Sequence, residues 1–439
     1  METGDLVDLD VTGVAHGGVF VARHEGRVVF VPDAIPGERV RARLTDTSKS
    51  SFWRADALEV LDASPDRRPH VWGAADITVI PERRAGGADF GHVDLARQRL
   101  LKLDVFGDAL RRIGKFDDLA VSMEEPHAAT AADGSVDAET SDGTGWRTRV
   151  GLHVDEEGRV GPYAPRSNTV IEVDDLPLAT PDIERAAVRL RSGAPGRVDL
   201  VQPADGRVRV LVRPDSERRA PGAPEVVTER VGAREFRVDD HGFWQVHRLA
   251  AHTLTEMVKS ELRALHPADS TGPVIDPEAW HLDLYGGVGL FAAALGDLGG
   301  PATRVTSVES DARATEHAGE NLAEWVGARA ETARVDRYVA RLVAEASARE
   351  KERLSRGVVL LDPPRAGAGR EVVQSIAALA PAVVAYVACD PVALARDLRT
   401  FADLGYSARR GVRAVDLFPH SHHVEALAVL ERDPDTMTT

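Results

Sequence analysis

The chain has 439 residues, of which 43% are hydrophobic and 28% charged, and its formal net charge is −16. At about 100–200 residues per domain, this length predicts two to four domains. No apolar run reaches the ~18 residues of a membrane span, and the first residues, METGDLVDLD, lack the basic and apolar regions of a signal peptide. We therefore expect a soluble, cytoplasmic protein with no membrane partner.

The chain has a single cysteine, Cys389. One thiol excludes an internal disulfide, a four-cysteine zinc site and an iron–sulfur cluster. Any chemistry of Cys389 is therefore that of a lone thiol, whereas a free cysteine beside an apolar strand can equally be a small buried hydrophobe.

The negative charge is unevenly distributed. Residues 117–145 contain eight acidic residues and no Lys or Arg, and their Ala, Thr, Ser and Gly content predicts a disordered insertion. A negative net charge argues against a nucleic-acid ligand, but residues 117–145 alone supply half of that charge. Residues 182–237 carry twelve Arg against nine acids, which is consistent with RNA contact or with an ordinary solvated surface.

The amino-terminal half is predicted to form two small domains. Residues 6–62 alternate between apolar and polar positions, with Gly and Pro turns, which is typical of a small antiparallel barrel of the kind that binds oligonucleotides. We therefore assign a barrel to residues 1–62. Residues 93–113 have helical apolar spacing, and residues 63–235 are predicted to form a central α+β domain.

Residues 236–439 have a different pattern. The apolar strands WHLDLYG, VTSVES, GVVLLDPP and AVVAYVACD alternate with helical stretches at 290–299, 311–325, 370–379 and 391–404. Such β/α alternation predicts a doubly wound α/β domain with a parallel sheet covered on both faces.

The first strand of this domain runs into a glycine-rich turn. Gly286, Gly287 and Gly289 allow a ligand to approach the backbone, and Glu309 ends the next strand, where a carboxylate can accept the hydroxyl groups of a ribose. The G-G-x-G spacing differs from the pyrophosphate-binding G-x-G-x-x-G, so S-adenosylmethionine is favoured over NAD. The alternative is a tight turn beside a surface glutamate.

Further candidate residues follow the later strands. Asp362 and Arg365 lie in a proline-stiffened loop, and Cys389 precedes a helix whose N-terminus can lower a thiol pKa. Glu425 begins the last strand and is a candidate general base. Three histidines lie just before it, at positions 420, 422 and 423, but their spacing matches no zinc pattern, and we expect no metal.

Together, the motifs DLYGGVGLF, DPPRAG, YVACDP followed by ARDL, and FPHSHHVE resemble those of the bacterial RNA uracil-5-methyltransferase family. The amino-terminal barrel is similar to the TRAM domain of many members, and the segment FWQVH at residues 243–247 is similar to the family's F-x-Q-x-N element. The resemblance covers nearly the whole chain and implies a Rossmann-like S-adenosylmethionine-dependent enzyme that forms 5-methyluridine in RNA.

The resemblance also implies roles for individual residues. Cys389 corresponds to the nucleophile and Glu425 to the base. Four residues correspond to contacts with S-adenosylmethionine: Gln245, Tyr285, Glu309 and Asp362.

The chain departs from the family pattern at several positions. Asp390 replaces the usual Asn after the nucleophile, His247 replaces the Asn of F-x-Q-x-N, and Gly286 replaces a common Cys. The four-cysteine iron–sulfur cluster of some members cannot form. Because a carboxylate beside a thiol raises the thiol pKa, Asp390 is expected to disfavour the thiolate unless it points away.

Three functions remain in competition. The first is methylation of a uridine, with ribosomal RNA (23S) expected before transfer RNA by family analogy. The second is methylation of another acceptor without use of the thiol. The third is RNA binding without catalysis, which the residues Asp390 and His247 make conceivable. A monomer suffices for the proposed chemistry.

Overall fold

A computed structural model describes residues 1–130, 134–191, 194–216, 223–266 and 272–433. Within these ranges, no helix is long and apolar enough to cross a bilayer. Contacts divide the chain into two compact units. The barrel unit comprises Met1–Val105, Glu139–Ala223 and Phe418–His423, and the sheet unit comprises Phe106–Ala138, Pro224–Leu417 and Val424–Thr439.

The barrel unit begins with five strands: β1 (Leu6–Ala15), β2 (Val19–His24), β3 (Arg27–Val31), β4 (Arg39–Asp46) and β5 (Phe52–Asp62). They form a closed barrel in the order β1-β2-β3-β5-β4. Alternate residues of β1, such as Val7 and Leu9, are buried in its core, as the period of two requires. The predicted barrel is confirmed.

Two short 3-10 helices, Gly73–Ala75 and Pro81–Arg83, precede the helix α1 (Leu95–Arg112). The helix agrees with the prediction over 93–113 and belongs in part to each unit. Leu101 packs into the barrel core, whereas Phe106 and Leu110 pack into the core of the sheet unit. The apolar residues of α1 are therefore divided between two hydrophobic cores.

The segment after α1 contains three short strands: β6 (Val121–Glu124), β7 (Ala129–Thr130) and β8 (Val136–Asp137). It is followed by β9 (Arg149–Val154), β10 (Val160–Gly161), α2 (Pro181–Ala187), β11 (Gly196–Val201), β12 (Arg209–Pro214), β13 (Val226–Val231) and β14 (Arg234–Asp239). Strands β10-β9-β11-β12 form an antiparallel sheet, and β13 and β14 form a separate hairpin.

The rest of the chain comprises α3 (Ala250–Leu265), β15 (His281–Leu284), α4 (Leu290–Gly299), β16 (Val305–Glu309), α5 (Ala312–Asn321), β17 (Arg329–Thr332), α6 (Val335–Glu345), α7 (Ala348–Ser355), β18 (Val358–Leu361), α8 (Arg370–Ala378), β19 (Val383–Ala388), α9 (Pro391–Asp403), β20 (Tyr406–Ser407), β21 (Val412–Val415) and β22 (Glu425–Arg432).

The sheet unit contains a nine-stranded sheet in the order β17-β16-β15-β18-β19-β22-β21-β6, with β20 also paired to β22. Strands β15 to β19 run parallel, and β22 runs antiparallel to β19. All four residues of β15 and of β18 are buried, as expected for strands covered on both faces. The doubly wound α/β fold is confirmed, with one reversed strand that the β/α alternation did not reveal.

The prediction that residues 117–145 are disordered is wrong at the strands β6, β7 and β8, and residues 131–133 lie outside the described ranges. Strand β6 pairs in parallel with β21 in the sheet. The carboxylate of Glu124 accepts hydrogen bonds from Arg413 Nε at 2.5 Å and Nη2 at 2.8 Å. An acidic composition does not cause disorder when a distant arginine neutralises the charge.

The predicted domain boundaries also differ from those of the compact units. Residues 63–235 do not form a unit of their own: residues 63–105 and 139–223 belong with the barrel, and the hairpin β13–β14 belongs with the sheet. Local periodicity identifies elements but does not show which core they join.

Candidate active site

The glycine-rich turn between β15 and α4 is shaped by unusual backbone conformations. Tyr285, Gly287 and Gly289 have φ values of 63°, 53° and 90°, in the left-handed region that glycine adopts at low cost. A Cβ atom on Gly286 would overlap the Ser307 hydroxyl and lie 2.7 Å from Asp283 Oδ2. A side chain at position 286 would therefore displace Ser307 or Asp283, which favours glycine at this position of the chain.

Glu309 lies beside this turn, as predicted. Its Oε2 accepts a hydrogen bond from Gly287 N at 3.2 Å. Its Oε1 accepts from Ser310 N at 2.6 Å and from Asp311 N at 2.9 Å, at the start of α5. Ser310 Oγ also donates to Oε1 at 3.0 Å, so Oε1 is fully used, whereas Oε2 accepts one bond from the turn and keeps a second lone-pair site for a ligand.

Asp283 is a site residue that the sequence analysis missed. It is fully buried in β15, and its Oδ2 accepts hydrogen bonds from Ser307 Oγ at 3.1 Å and Ala292 N at 3.0 Å. Its other oxygen has no partner among the described residues. Burial raises the Asp283 pKa to about 7. A charged residue inside the apolar run HLDL was the signal that could have identified it.

Asp362 follows β18 at the same edge of the sheet, and its backbone N–H donates to Leu284 O at 3.2 Å. Burial, and then the neighbouring Asp283 carboxyl, raise the Asp362 pKa. The two carboxyls are thus close enough to repel each other, so the charge at this edge is sensitive to any cationic group that binds between them.

The loop that carries Asp362 and Arg365 is held by a second buried carboxylate. Asp397 Oδ2 accepts hydrogen bonds from Ala368 N at 2.8 Å, Gly369 N at 3.2 Å and the Tyr386 hydroxyl at 2.8 Å. Asp397 has no exposed surface. One carboxylate oxygen of Asp397 thus accepts from the loop backbone and from Tyr386 of β19. Asp397 therefore fixes the loop against the strand that precedes Cys389.

Cys389 and Glu425 are brought together by the antiparallel pairing of β19 with β22. Ala388 is paired with Ala426, so Cys389 and Glu425 are the next opposed positions of the ladder. Burial, then the Glu425 and Asp362 carboxyls, raise the Cys389 pKa to about 12. Burial and Asp362 likewise raise the Glu425 pKa well above its usual value.

Arg365 acts in the opposite direction on both groups. Its positive charge lowers the pKa of Cys389 and that of Glu425. The sequence analysis identified Arg365 in the stiff loop but assigned it no role. In the structure, Arg365 is the cation whose charge favours the ionised form of both the predicted nucleophile and the predicted base.

Two departures from the family pattern have local explanations. Asp390 caps α9, its Oδ1 accepting from Ala393 N at 2.8 Å, and Asp and Asn are equally good N-caps. Its effect on the Cys389 pKa is the smallest of those acting there. His247 is buried, and its Nδ1 accepts from Leu249 N at 3.0 Å just before α3, a contact that an asparagine side chain also makes.

Gln245 is the one predicted site residue that the contacts do not connect to the others. It is half-buried in the segment between β14 and α3. In the described part of the chain, no hydrogen bond links it to Tyr285, Glu309 or Asp362. Tyr285, in contrast, packs partly buried against the core of the sheet unit beside the glycine turn.

The three histidines before Glu425 have partners within the barrel unit. His420 Nδ1 lies 3.1 Å from Gln98 Nε2, and His422 Nδ1 lies 2.7 Å from Asp89 Oδ2. The aromatic ring of Phe418 packs edge-on against His423. The described residues contain no group of three or more His, Cys, Asp or Glu placed to hold a metal ion.

The chain is similar to known proteins over most of its length. Two family models match the chain: the TRAM domain over residues 2–58 and the tRNA (Uracil-5-)-methyltransferase family over residues 281–433. A relative described as an uncharacterized RNA methyltransferase of Streptomyces avermitilis is 36% identical over 98% of this chain and 98% of its own length. A 23S rRNA (uracil(1939)-C(5))-methyltransferase of Halomonas elongata is 31% identical over 98% of this chain and 90% of its own.

The chain belongs to the RNA uracil-5-methyltransferase family. The family's fold is also seen in the crystal structure of Pyrococcus abyssi tRNA (uracil-54, C5)-methyltransferase in complex with S-adenosyl-L-homocysteine. That structure has a TM-score of 0.64 and 20% identity, covering 96% of this chain and all of its own. The predicted family, fold and class of enzyme, an S-adenosylmethionine-dependent RNA (uracil-5-)-methyltransferase, are confirmed.

Proposed function

We propose that this protein methylates carbon 5 of a uridine in 23S ribosomal RNA through a covalent adduct with Cys389. The single observation that supports this most strongly is the pairing of Ala388 with Ala426, which places Cys389 and Glu425 at opposed positions of one sheet edge. A nucleophile and a base so arranged can act on neighbouring atoms of one ring.

The residues around the glycine turn fit S-adenosylmethionine. Position 286 has no side chain, an added Cβ on Gly287 would meet open space, and Glu309 and Asp362 offer acceptors. When bound, S-adenosylmethionine supplies an electrophilic methyl group. We assign Glu309 to the ribose hydroxyls and Tyr285 and Asp362 to the rest of the molecule. Gln245 joins this set only through the family resemblance.

The chemistry follows from what Cys389 and Glu425 can do. The thiol proton of Cys389 passes to solvent and Sγ bonds to carbon 6 of the uracil. The electron pair of the C5–C6 π bond moves onto the carbon 4 carbonyl oxygen, and the resulting enolate makes carbon 5 nucleophilic. After carbon 5 gains the methyl group, Glu425 removes the carbon 5 proton. The electron pair of that C–H bond forms the C5–C6 double bond, the S–C6 bond breaks, and the thiol is regenerated when it recovers a proton.

The target uridine has to leave its stack so that Cys389 can reach carbon 6. Extruding the uridine costs a few kcal/mol, and this cost is lowest when the uridine lies in a loop or a single strand. Ribosomal RNA is the first choice because the Halomonas relative, similar over nearly its whole length, is a 23S rRNA enzyme. Transfer RNA is the second candidate, since the matching family model and the Pyrococcus structure are named for transfer RNA enzymes.

A labelling experiment tests the reaction. Purified protein, methyl-labelled S-adenosylmethionine and either 23S rRNA fragments or transfer RNA are incubated, and digested nucleosides are separated. We expect label in 5-methyluridine from ribosomal RNA, and none with Cys389→Ala. Calorimetry should show that Cys389→Ala still binds S-adenosylmethionine. Label in transfer RNA alone would reject the choice of substrate, and full activity of Cys389→Ala would reject the covalent mechanism.

A trapping experiment tests the role of Glu425. RNA containing 5-fluorouridine has no carbon 5 proton to remove, so it should form a denaturation-resistant complex with the wild-type protein. Glu425→Gln should accumulate the same kind of complex on ordinary RNA, because carbon 5 is methylated but its proton stays. Normal turnover by Glu425→Gln would show that another group is the base.

A further inference from the structure

A row of polar side chains on α5 contacts the hairpin β13–β14. Arg313, His317 and Asn321 are spaced four residues apart, so they lie on one side of the helix. Each of them forms a hydrogen bond with β14, at either Arg237 or Asp239. Because α5 follows β16 in the chain, this row joins the hairpin to the strands around the glycine turn.

Asp239, at the end of β14, attaches the hairpin to α5. Its carboxylate accepts from two nitrogens of Arg313, with Nε at 3.1 Å from Oδ2 and Nη2 at 2.9 Å from Oδ1. His317 Nε2 lies 2.7 Å from Oδ1, and both His317 and Asp239 are buried. Two-point pairing of an arginine with a carboxylate fixes orientation as well as distance. The end of β14 therefore has a defined position on α5.

Asn321, the last residue of α5, contacts both the hairpin and the glycine turn. Its Oδ1 accepts from Arg237 N at 2.8 Å, and its Nδ2 donates to Arg237 O at 3.1 Å. The same Nδ2 donates to Val288 O at 2.9 Å. An amide nitrogen has two N–H groups, so one serves β14 and the other serves the turn.

The glycine turn needs such a contact because of its own backbone. Val288 lies between Gly287 and Gly289, whose φ values are 53° and 90°. Glycine enters the left-handed region at low cost but leaves it as easily, so the two glycines do not by themselves hold the peptide between them. The Asn321 amide holds its carbonyl, and the buried Leu322 packs against Gly289.

The end of α5 does not require the Asn321 side chain. Backbone bonds already close it, since Leu322 N donates to Ala318 O at 3.0 Å and Ala323 N donates to Glu320 O at 3.3 Å. Both donors of the Asn321 amide bond to other elements. This side chain therefore fixes how three elements are placed, and not how its own helix ends.

We infer that Asn321 is a positioning residue for the binding of S-adenosylmethionine. Through Val288 O, it holds the turn in the shape in which Gly287 N donates to Glu309 Oε2. Through β14, it holds the strand that leads into the segment with Gln245. This inference rests on the proposed function, because that function takes the glycine turn as the binding site of the methyl donor.

Asn321→Asp tests the inference. An ionised aspartate has the same shape but no N–H to donate, and its oxygen would face the carbonyl oxygens of Arg237 and Val288. Calorimetry should show about 10-fold weaker binding of S-adenosylhomocysteine. In the labelling assay, the KM for S-adenosylmethionine should rise by a similar factor, whereas kcat and the KM for RNA should change less than about 2-fold.

The ratio of these effects distinguishes positioning from a purely structural role. A variant that only folds less well has a smaller active fraction, which lowers the apparent kcat and leaves the KM unchanged. The chain has one other asparagine, Asn168, which is exposed. Asn168→Asp introduces the same charge and should leave the affinity and both kinetic constants as in the wild type.

A second variant keeps the test valid if Asn321→Asp fails to fold, which thermal unfolding would show. Asn321→Ser adds no charge but has a shorter side chain with a single O–H donor. It should weaken the binding of S-adenosylhomocysteine roughly 3-fold or more. Wild-type affinity of either folded variant would overturn the inference, and so would a lower kcat at an unchanged KM for S-adenosylmethionine.

The outcome is separable from that of the methylation assay. If the wild-type chain binds S-adenosylhomocysteine but labels no RNA, the proposed reaction fails, and calorimetry of the Asn321 variants still decides the inference. If the wild-type chain labels uridine and the Asn321 variants bind normally, the reaction stands and the inference fails. A wild-type chain that binds no S-adenosylhomocysteine would overturn both.

Discussion

At the scale of single residues, the neighbouring charges act on the Cys389 pKa in opposite directions. Two carboxyls and burial hold the Cys389 proton in place, and Arg365 favours its loss. The motif analysis named both Cys389 and Glu425, because each lies in a distinctive pattern after or before a strand. It did not find Asp283, whose effect arises from the distance to Asp362 across two strands and not from any local pattern.

Because the chain has one cysteine, alkylation by iodoacetamide reports the Cys389 thiolate directly. With its pKa near 12, the rate should be slow at pH 7 and rise about tenfold per pH unit up to pH 10. Arg365→Gln removes a favourable charge and should slow the reaction. Glu425→Gln removes a carboxyl that repels the thiolate when ionised, so it should speed the reaction towards pH 10, where Glu425 is most ionised.

The exposed Arg370, at the start of α8, offers a matched control. Arg370→Gln removes the same charge from a nearby helix and should leave the alkylation rate unchanged. A rate that is already pH-independent at pH 7, measured by mass spectrometry, would contradict the raised pKa of Cys389.

At the scale of elements, most helices and strands of the sheet unit follow from periodicity and punctuation. The predicted helices at 290–299 and 391–404 agree with α4 and α9. Helices α6 and α7 and the reversed direction of β22 were not predicted. Strand direction is set by how the chain returns to the sheet, and no local pattern encodes that return.

The loop after β18 depends on one buried carboxylate in α9. Asp397→Asn keeps the shape of the side chain but weakens bonds that Ala368 N, Gly369 N and Tyr386 donate to it, because hydrogen bonds to a charged acceptor are stronger. We expect a loss of about 1–3 kcal/mol in the free energy of unfolding, together with weaker binding of S-adenosylhomocysteine in calorimetry.

Asp403, at the end of the same helix, is the control for this change. It is exposed and pairs with Arg399 one turn earlier, a type of contact worth about 0.5 kcal/mol or less. Asp403→Asn should leave ligand binding unchanged. Equal effects of the two substitutions would show that Asp397 does not position the loop.

At the scale of the whole molecule, a buried base and a buried acid make stability depend on pH in opposite directions over the same pH range. Burial lowers the pKa of His92 to about 4 and raises that of Asp283 to about 7. Between pH 6.5 and 4 the unfolded chain binds more protons at His92 than the folded chain does. The free energy of unfolding therefore decreases at this group as the pH falls. Asp283 binds more protons when folded, so its contribution rises over the same interval.

Differences between variants separate these two contributions. The stability cost of His92→Gln, measured by urea unfolding, should shrink by up to about 1.4 kcal/mol per pH unit from pH 6.5 to 4. Asp283→Asn should show the opposite sign, because its advantage at pH 8 disappears as the wild-type carboxyl becomes protonated. A cost of His92→Gln that is constant with pH would mean that His92 is not held neutral.

The sequence by itself determined most of the elements, the glycine turn with Glu309, the candidate pair Cys389 and Glu425, and the exclusion of any cluster that needs several thiolates, because these depend on local spacing and residue chemistry. Only the tertiary structure decided the placement of Glu425, Asp362 and Arg365 around the thiol, the ion pair between Glu124 of the acidic segment and Arg413, and the division into two units. These depend on contacts between residues that are far apart in the sequence, whose energy exists only once burial and pairing bring the charges together.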